Sequence, residues 1–250
     1  MDNLVQVLSY AMFPVAATIL GGIVAAFRSP GPKTSSAIQH FAGGVVFAAV
    51  ATELLPDIIR ERAHLPIGVG FALGIAVMLG VKRLAERYGG EGEAEGGPAE
   101  STGAGALGLI VTVGVDVVID GLLIGIGFAA GGKAGVLLTI ALTIELLFLG
   151  LSAATALSRA GSPPAKMIGT IVVIALLLLV GAAAGTTLLA GLSGAPFVIV
   201  MAFGTAALLY LVTEELLVEA HGVPETALIT SSFFVGFWVM LMIDMAELPV

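Results

Sequence analysis

Three carboxylates lie inside long apolar segments of this 250-residue sequence, where their charge is expensive. Asp116 and Asp120 are one helical turn apart in GALGLIVTVGVDVVIDGLLIGIGFAAGG, and Glu145 lies within LLTIALTIELLFLGLSAATALSRAG. At membrane depth an acidic side chain costs about 2.5–3.5 kcal/mol on insertion scales, so it normally faces a cavity or a partner. Asp116 and Asp120 repel each other if both are ionised, because they share one helix face, and a bound cation removes that repulsion. The pattern therefore indicates a cation site.

The spacing of these residues predicts that they meet at one depth. Gly131 and Gly132 predict a tight turn, so the two segments form an antiparallel hairpin. Asp116 and Asp120 lie 16 and 12 residues before position 132, and Glu145 lies 13 residues after it. At about 1.5 Å per residue all three lie about 18–24 Å from the turn, near mid-membrane. We expect them to hold a cation with oxygen ligands.

The composition is that of a membrane protein. Hydrophobic residues make up 58% of the chain and charged residues only 11%, against about 45–50% and about 25% in soluble domains. Mean hydropathy is +1.09. Ten Lys and Arg against eighteen Asp and Glu exclude a nucleic-acid binder, and the absence of cysteine excludes thiolate chemistry. We therefore expect a polytopic membrane protein in contact with the lipid bilayer, not a water-soluble enzyme.

Eight segments are long and apolar enough to cross a bilayer core, which needs about 20 apolar residues per helix. They predict an all-α, eight-helix transmembrane bundle, with three spans in residues 1–85 and five in residues 105–250. Between them, residues 86–104 are rich in Gly and Glu and predict a flexible cytoplasmic loop. The predicted spans are 4–27, 36–59, 65–85, 105–130, 134–158, 166–191, 195–218 and 225–247.

The basic residues predict the orientation. With the N-terminus outside, seven Lys and Arg residues fall in inner loops and three in outer loops, as the positive-inside rule requires. An even number of spans places both termini on the outer side. We predict a multi-pass protein of the plasma membrane with both termini outside the cell.

Further acids lie near the ends of the second and seventh spans. Glu53 and Asp57 are one turn apart around Pro56, whose missing N–H frees a backbone carbonyl. We include Glu53 in the predicted metal path. Asp57 and the seventh-span Glu214, Glu215 and Glu219 are interpreted as acids at the membrane interface, and Asp244 and Glu247 near the C-terminus as solvated.

Other motifs carry less information about function. His40, His64 and His221 lie at predicted span ends or loops, and none is assigned to the site. Gly181 and Gly185 form a GxxxG pattern, which fits a homodimer face and internal helix packing equally well. Asp116 and Glu145 are each followed five positions later by glycine, which suggests duplicated helices lining one pathway. Tyr210 and Trp238 are interpreted as packing or interface-belt residues.

These features together resemble the ZIP family of divalent-metal transporters. That family typically carries His-Asn-x-x-Asp-Gly on the fourth span, where this chain has DVVIDG from Asp116 to Gly121. On the fifth span the family carries His-x-x-Pro-Glu-Gly, where this chain has ELLFLG from Glu145 to Gly150. The ELLPD stretch from Glu53 is similar to the family's His-Leu-Leu-Pro-Glu, and AFGTAALLYLVTEELLVE is similar to its seventh-span motif. Acids thus replace three motif histidines.

The resemblance implies an eight-helix bundle of ZIP type, a metal path between spans two, four, five and seven, and often a dimer. Val117 and Leu149 stand where the family pattern has ligands. We therefore expect one metal ion, held by Asp116, Asp120 and Glu145 with water. Imidazole suits zinc whereas carboxylates suit Mg, Ca and Mn, so the preference for zinc should be weaker than in the family.

The sequence thus predicts a transporter of zinc, iron or manganese, with the metal as substrate and no organic cofactor. The first alternative is a membrane protein that binds metal in a regulatory role without transporting it. The second is an intramembrane enzyme with an aspartate dyad. The dyad is disfavoured because Asp116 and Asp120 share one helix, and GxSxG is absent from the sequence.

Overall fold

The computed structural model describes residues 2–27, 30–89, 103–224 and 226–246. Within these ranges the secondary structure is helical, with no strand, and the predicted all-α class is confirmed. The described part of the chain contains eight helices that are long and apolar enough to cross a membrane, as the sequence predicts. Their bounds are α1 Asp2–Phe27, α2 Pro32–Glu61, α3 His64–Gly89, α4 Gly103–Ala130, α5 Gly132–Arg159, α6 Pro164–Leu189, α7 Ala195–Ala220 and α8 Ala227–Met245.

Most helices extend a few residues beyond the apolar segments that predict them. Helix α2 begins at Pro32 rather than residue 36, because proline is well suited to the first turn of a helix. The ends of the predicted loop 86–104 are helical, since α3 continues to Gly89 and α4 begins at Gly103. Residues 90–102 lie outside the described part of the chain, so the flexible loop stays a prediction, as does the orientation.

The helices pack in two matching sets. Helix α1 packs closely against α5, and α6 packs as closely against α4. In the same way α2 packs against α8, and α3 against α7. Helices α4 and α5 contact each other as the predicted hairpin, and α1 contacts α6. The two sets correspond to each other helix by helix: α1 corresponds to α6, α2 to α7, α3 to α8 and α4 to α5. Each main contact between two helices therefore has a counterpart between the corresponding helices.

Glycines make the closest of these contacts. A Cβ atom on Gly121 of α4 would overlap the backbone of α6 at Leu178, and a Cβ atom on Gly150 of α5 would overlap the backbone of α1 at Thr18. The two glycines of the repeated acid-xxxx-Gly pattern thus have the same role on opposite sides of the hairpin. Each lets a neighbouring helix approach to backbone contact.

The GxxxG pattern of α6 is used inside the chain. Gly181 packs against the backbone of α4 at Val118 and Leu122, and Gly185 packs against Leu122 and Gly125. Of the two interpretations left open by the sequence, the structure thus shows internal packing. A homodimer stays a prediction, and it would need another surface.

Helices α2 and α7 each contain one widened turn. Residues Val50–Leu54 of α2 and Leu211–Leu216 of α7 are π-helical, and the N–H after each turn donates to a carbonyl five residues back. In α2 the cause is Pro56, whose ring cannot follow a regular turn. The sequence around the α7 turn offers no such cause. Single π-helical turns inside α-helices are frequent at functional sites.

Candidate metal centre

The three predicted carboxylates meet in the interior of the bundle. One oxygen from each of Asp116, Asp120 and Glu145 lies within 4.8 Å of the other two. All three side chains are buried, with 8% of Asp116, 0% of Asp120 and 3% of Glu145 exposed. In the described part of the chain, these three acids form the group of at least three acidic or histidine residues whose ligand atoms lie close enough together to bind one metal ion. The three carboxylates thus meet as predicted, and their depth in a membrane stays a prediction.

The oxygens at the centre of the group lack protein partners. Both carboxylate oxygens of Asp120 and Oε2 of Glu145 are fully buried and have no hydrogen-bond partner within the described ranges. Buried polar atoms are normally paired, and a buried charge without a partner is far more costly than a neutral group. A bound cation would compensate these atoms if they are ionised, so the group is compatible with a metal site.

Apolar residues close to the acids along α4 and α5 are buried in the bundle. Val117 and Leu146, which neighbour the acids in sequence, are fully buried, as are Ile124 and Leu142 one turn farther along α4 and α5. These side chains cannot donate hydrogen bonds to the carboxylates. An ionised carboxylate in this environment is costly unless a cation or a proton neutralises it.

A cavity of about 60 Å³ adjoins the carboxylates. A single water needs about 10–15 Å³, so this volume accommodates a metal ion that keeps some of its water. Helices α2, α4, α5 and α7 all contribute to the wall. The lining residues are Gln39, Asp116, Glu145, Phe148, Leu149, Ser152, Glu215, Leu216 and Glu219.

The acidic side chains become more exposed from the three-carboxylate group toward the end of α7. Asp120 and Glu145 are buried, Glu215 is half-buried and Glu219 is exposed. Glu219 also forms side-chain hydrogen bonds with Gln39 of α2 and Ser152 of α5. The start of α2 and the ends of α5 and α7 lie on one side of the bundle, because successive helices alternate in direction. The polar cavity therefore leads away from the side on which α1 begins and α8 ends.

The structure places Glu53 apart from the three-carboxylate group. Lys133, in the first turn of α5, lies 3.4 Å from Oε1 of Glu53 and also contacts the carboxylate of Asp244. The side chains of Glu53 and Asp244 are only 12% and 13% exposed. Asp244 is thus not solvated, and that prediction is wrong, because α8 packs against α2 and brings Asp244 to Lys133. A cation could reach Glu53 only if the ammonium group moved away.

The remaining acids divide between the cavity and the surface. Asp57 pairs with Arg60 at 3.1 Å, and Glu214 pairs with Lys82 at 3.6 Å, so both are surface acids as expected. Glu215 and Glu219 instead line the cavity, although they were expected to be acids at the membrane interface. Their spacing of four residues predicts that they share one helix face, but not that this face meets the cavity.

Several other side chains lie where the sequence suggested. His64 is exposed at the start of α3. Tyr210 is 8% exposed and packs inside the bundle, whereas Trp238 is 58% exposed on α8, as expected for a lipid-facing belt residue. Glu247 lies outside the described residues. His40 and His221 form a contact that the sequence did not reveal, with ring centroids 5.0 Å apart.

Searches with this sequence found no matching protein-family model and no matching curated protein.

Proposed function

We propose that this chain is a transporter of divalent metal cations with a ZIP-type helix bundle. The observation that carries the proposal is the group of Asp116, Asp120 and Glu145, in which three buried oxygens of Asp120 and Glu145 have no hydrogen-bond partner in the described part of the chain. Acids inside a membrane bundle are typical of ion pathways, because a mobile cation compensates a charge that lipid and apolar side chains cannot. The motif resemblance on the second, fourth, fifth and seventh spans agrees with this assignment.

The donor set favours hard or borderline cations. Three carboxylates supply only oxygen ligands, which suit Mn²⁺ and related ions better than an imidazole site does. One ion fits between atoms that lie within 4.8 Å of one another, with water from the cavity completing its coordination. We propose manganese or iron(II) as better substrates than zinc.

Glu215 and Glu219 support a release path toward one side of the membrane. An ion leaving the carboxylate group finds oxygen ligands at Glu215 and then Glu219, each more exposed than the last. On the other side, Lys133 pairs with both Glu53 and Asp244, and its ammonium group occupies the place between them that a cation would take. With both termini outside, as the basic residues predict, the open side is cytoplasmic. We propose a plasma-membrane protein that imports its substrate.

Uptake into proteoliposomes tests the proposal. The full chain is reconstituted around a fluorescent metal indicator, and Mn²⁺, Fe²⁺, Zn²⁺ and Cd²⁺ are added outside. We expect uptake of at least one ion, and loss of that uptake in Asp120→Asn and Glu145→Gln. Asp57→Asn makes the same chemical change at a surface acid and should transport normally.

Other results would favour one of the alternatives to transport or refute the proposed site. Metal binding by calorimetry without uptake would favour the regulatory alternative over transport. Binding that is unchanged when Asp116 and Glu145 are both replaced by alanine would refute the site. Cleavage of a membrane-embedded substrate peptide, lost in Asp120→Asn, would revive the aspartate-dyad enzyme.

A further inference from the structure

A pair of histidines joins α2 and α7 near the polar end of the cavity. The rings of His40 and His221 have centroids 5.0 Å apart with an angle of 52° between their planes. His40 is 2% exposed, whereas His221 is exposed at the end of α7. The pair thus has one ring inside the bundle and one at its surface.

Both rings are oriented by the same kind of hydrogen bond. Nδ1 of His40 donates to the carbonyl oxygen of Ser36 at 2.9 Å, and Nδ1 of His221 donates to that of Leu217. A carbonyl only accepts, so the proton of each neutral ring is on Nδ1 and the lone pair is on Nε2. Metal-ligating histidines almost always hold their other nitrogen in this way, which fixes the tautomer and the ring.

The two helix ends are tied together around the pair. Ser36 Oγ donates to the carbonyl oxygen of Ala220 at 2.6 Å in a buried contact, and Ala220 precedes His221. Gln39, which precedes His40, hydrogen-bonds to the cavity residue Glu219. These contacts fix the separation of the two histidines and place them beside the mouth of the cavity.

The separation suits a shared metal ion. With metal–nitrogen distances of about 2.0–2.1 Å and a tetrahedral angle, two imidazoles bound to one ion have centroids about 5 Å apart. We infer that His40 and His221 form a second metal site, which takes borderline divalent cations such as Zn²⁺, Cu²⁺ and Ni²⁺. Imidazole prefers these ions, and Mn²⁺, Mg²⁺ and Ca²⁺ prefer oxygen ligands. The pair thus selects ions different from those that suit the carboxylate group.

Zinc titration by calorimetry tests the pair without depending on transport. The full chain carrying Asp120→Asn and Glu145→Gln serves as the parent, so that the carboxylate group does not contribute. Loss of an outer-shell partner alone typically costs about 10–100-fold in metal affinity. His221→Ala and His40→Ala should each weaken Zn²⁺ binding by at least about tenfold, and the double variant should be no weaker than either. His64→Ala, at the remaining histidine of the chain, should bind as the parent does.

A spectroscopic measurement identifies the ligands directly. Electron paramagnetic resonance of one bound Cu²⁺ should show coupling to two imidazole nitrogens in the parent and in His64→Ala, and to fewer than two in His221→Ala. His221 is exposed, so this variant preserves packing even if the buried His40→Ala fails to fold. Zinc binding in His221→Ala equal to that of His64→Ala, or copper without nitrogen ligands, would show that the rings make only an aromatic contact. The parent variant lacks two carboxylates of the proposed transport site, so the test does not depend on metal binding there. That outcome would therefore not contradict the proposed transport.

Discussion

Replacing Asp120 by asparagine should raise the stability of the metal-free protein and remove its response to metal. The change keeps the shape of the side chain and deletes one negative charge from a group of three. At 4.8 Å and an effective dielectric constant of about 20, two unit charges repel by about 3.5 kcal/mol. Asp120 takes part in two such pairs, with Asp116 and Glu145. Water in the adjoining cavity reduces these values, so we expect a net gain of about 1–3 kcal/mol.

Thermal unfolding in detergent, with a chelator and then with Mn²⁺, measures both effects. For a chain of this size a gain of about 1–3 kcal/mol corresponds to a rise of about 3–10 °C in the midpoint of the metal-free protein. In the wild type, metal at about 100 times its dissociation constant adds about 2.7 kcal/mol, or about 5–10 °C. In Asp120→Asn this metal-dependent rise should disappear.

A matched control distinguishes the charge effect from a general effect of the substitution. Asp57→Asn alters a surface ion pair with Arg60, so it should shift the midpoint by no more than about 1–2 °C and keep the full response to metal. The opposite outcome is that Asp120→Asn melts below the wild type without metal and still responds to Mn²⁺. Asp120 would then be a structural residue, and the unpaired oxygens would not indicate an ion.

Three further predictions follow from the packing and charge of the bundle. Gly121→Ala should destabilise the protein by about 1–3 kcal/mol in a denaturant titration, because its Cβ overlaps the backbone of α6; Gly169→Ala, whose Cβ meets no atom within 4 Å, should not. Lys133→Met should cost about 1–3 kcal/mol in the same assay, since it leaves Glu53 and Asp244 without their cation, and Lys133→Arg should restore most of the loss. Mn²⁺ affinity measured by calorimetry should fall as the pH is lowered, by about tenfold per pH unit for each proton that the metal displaces, because carboxylates bind metal only when ionised; an affinity independent of pH would contradict carboxylate ligation.

The helices and the carboxylate group were predictable because their signals are local. Apolar length defines the spans, and one turn at Gly131 relates the depth of Asp120 to that of Glu145 by simple counting. Both residues lie on consecutive helices, so no long-range packing had to be known. The same counting located Asp116 one turn away on the same face.

Contacts between distant helices were not predictable from the sequence. Asp244 meets Lys133 only because α8 packs against α2 near the start of α5, which no local pattern encodes. His40 and His221 are 181 positions apart and come together through the packing of α2 against α7. Glu215 faces the cavity rather than the surface because of how α7 lies against its neighbours, so its spacing from Glu219 alone could not decide its role.

The π-helical turn in α7 determines the direction in which everything after it faces. Such a turn holds one residue more than a regular turn, and each residue in an α-helix advances by about 100° around the axis. Deleting Val212 would restore regular α-helical geometry and rotate the segment Leu217–Ala220 by about that angle around the helix axis. Glu219 would then leave the cavity wall and His221 would leave His40. The one extra residue in this turn therefore determines the direction in which both Glu219 and His221 face.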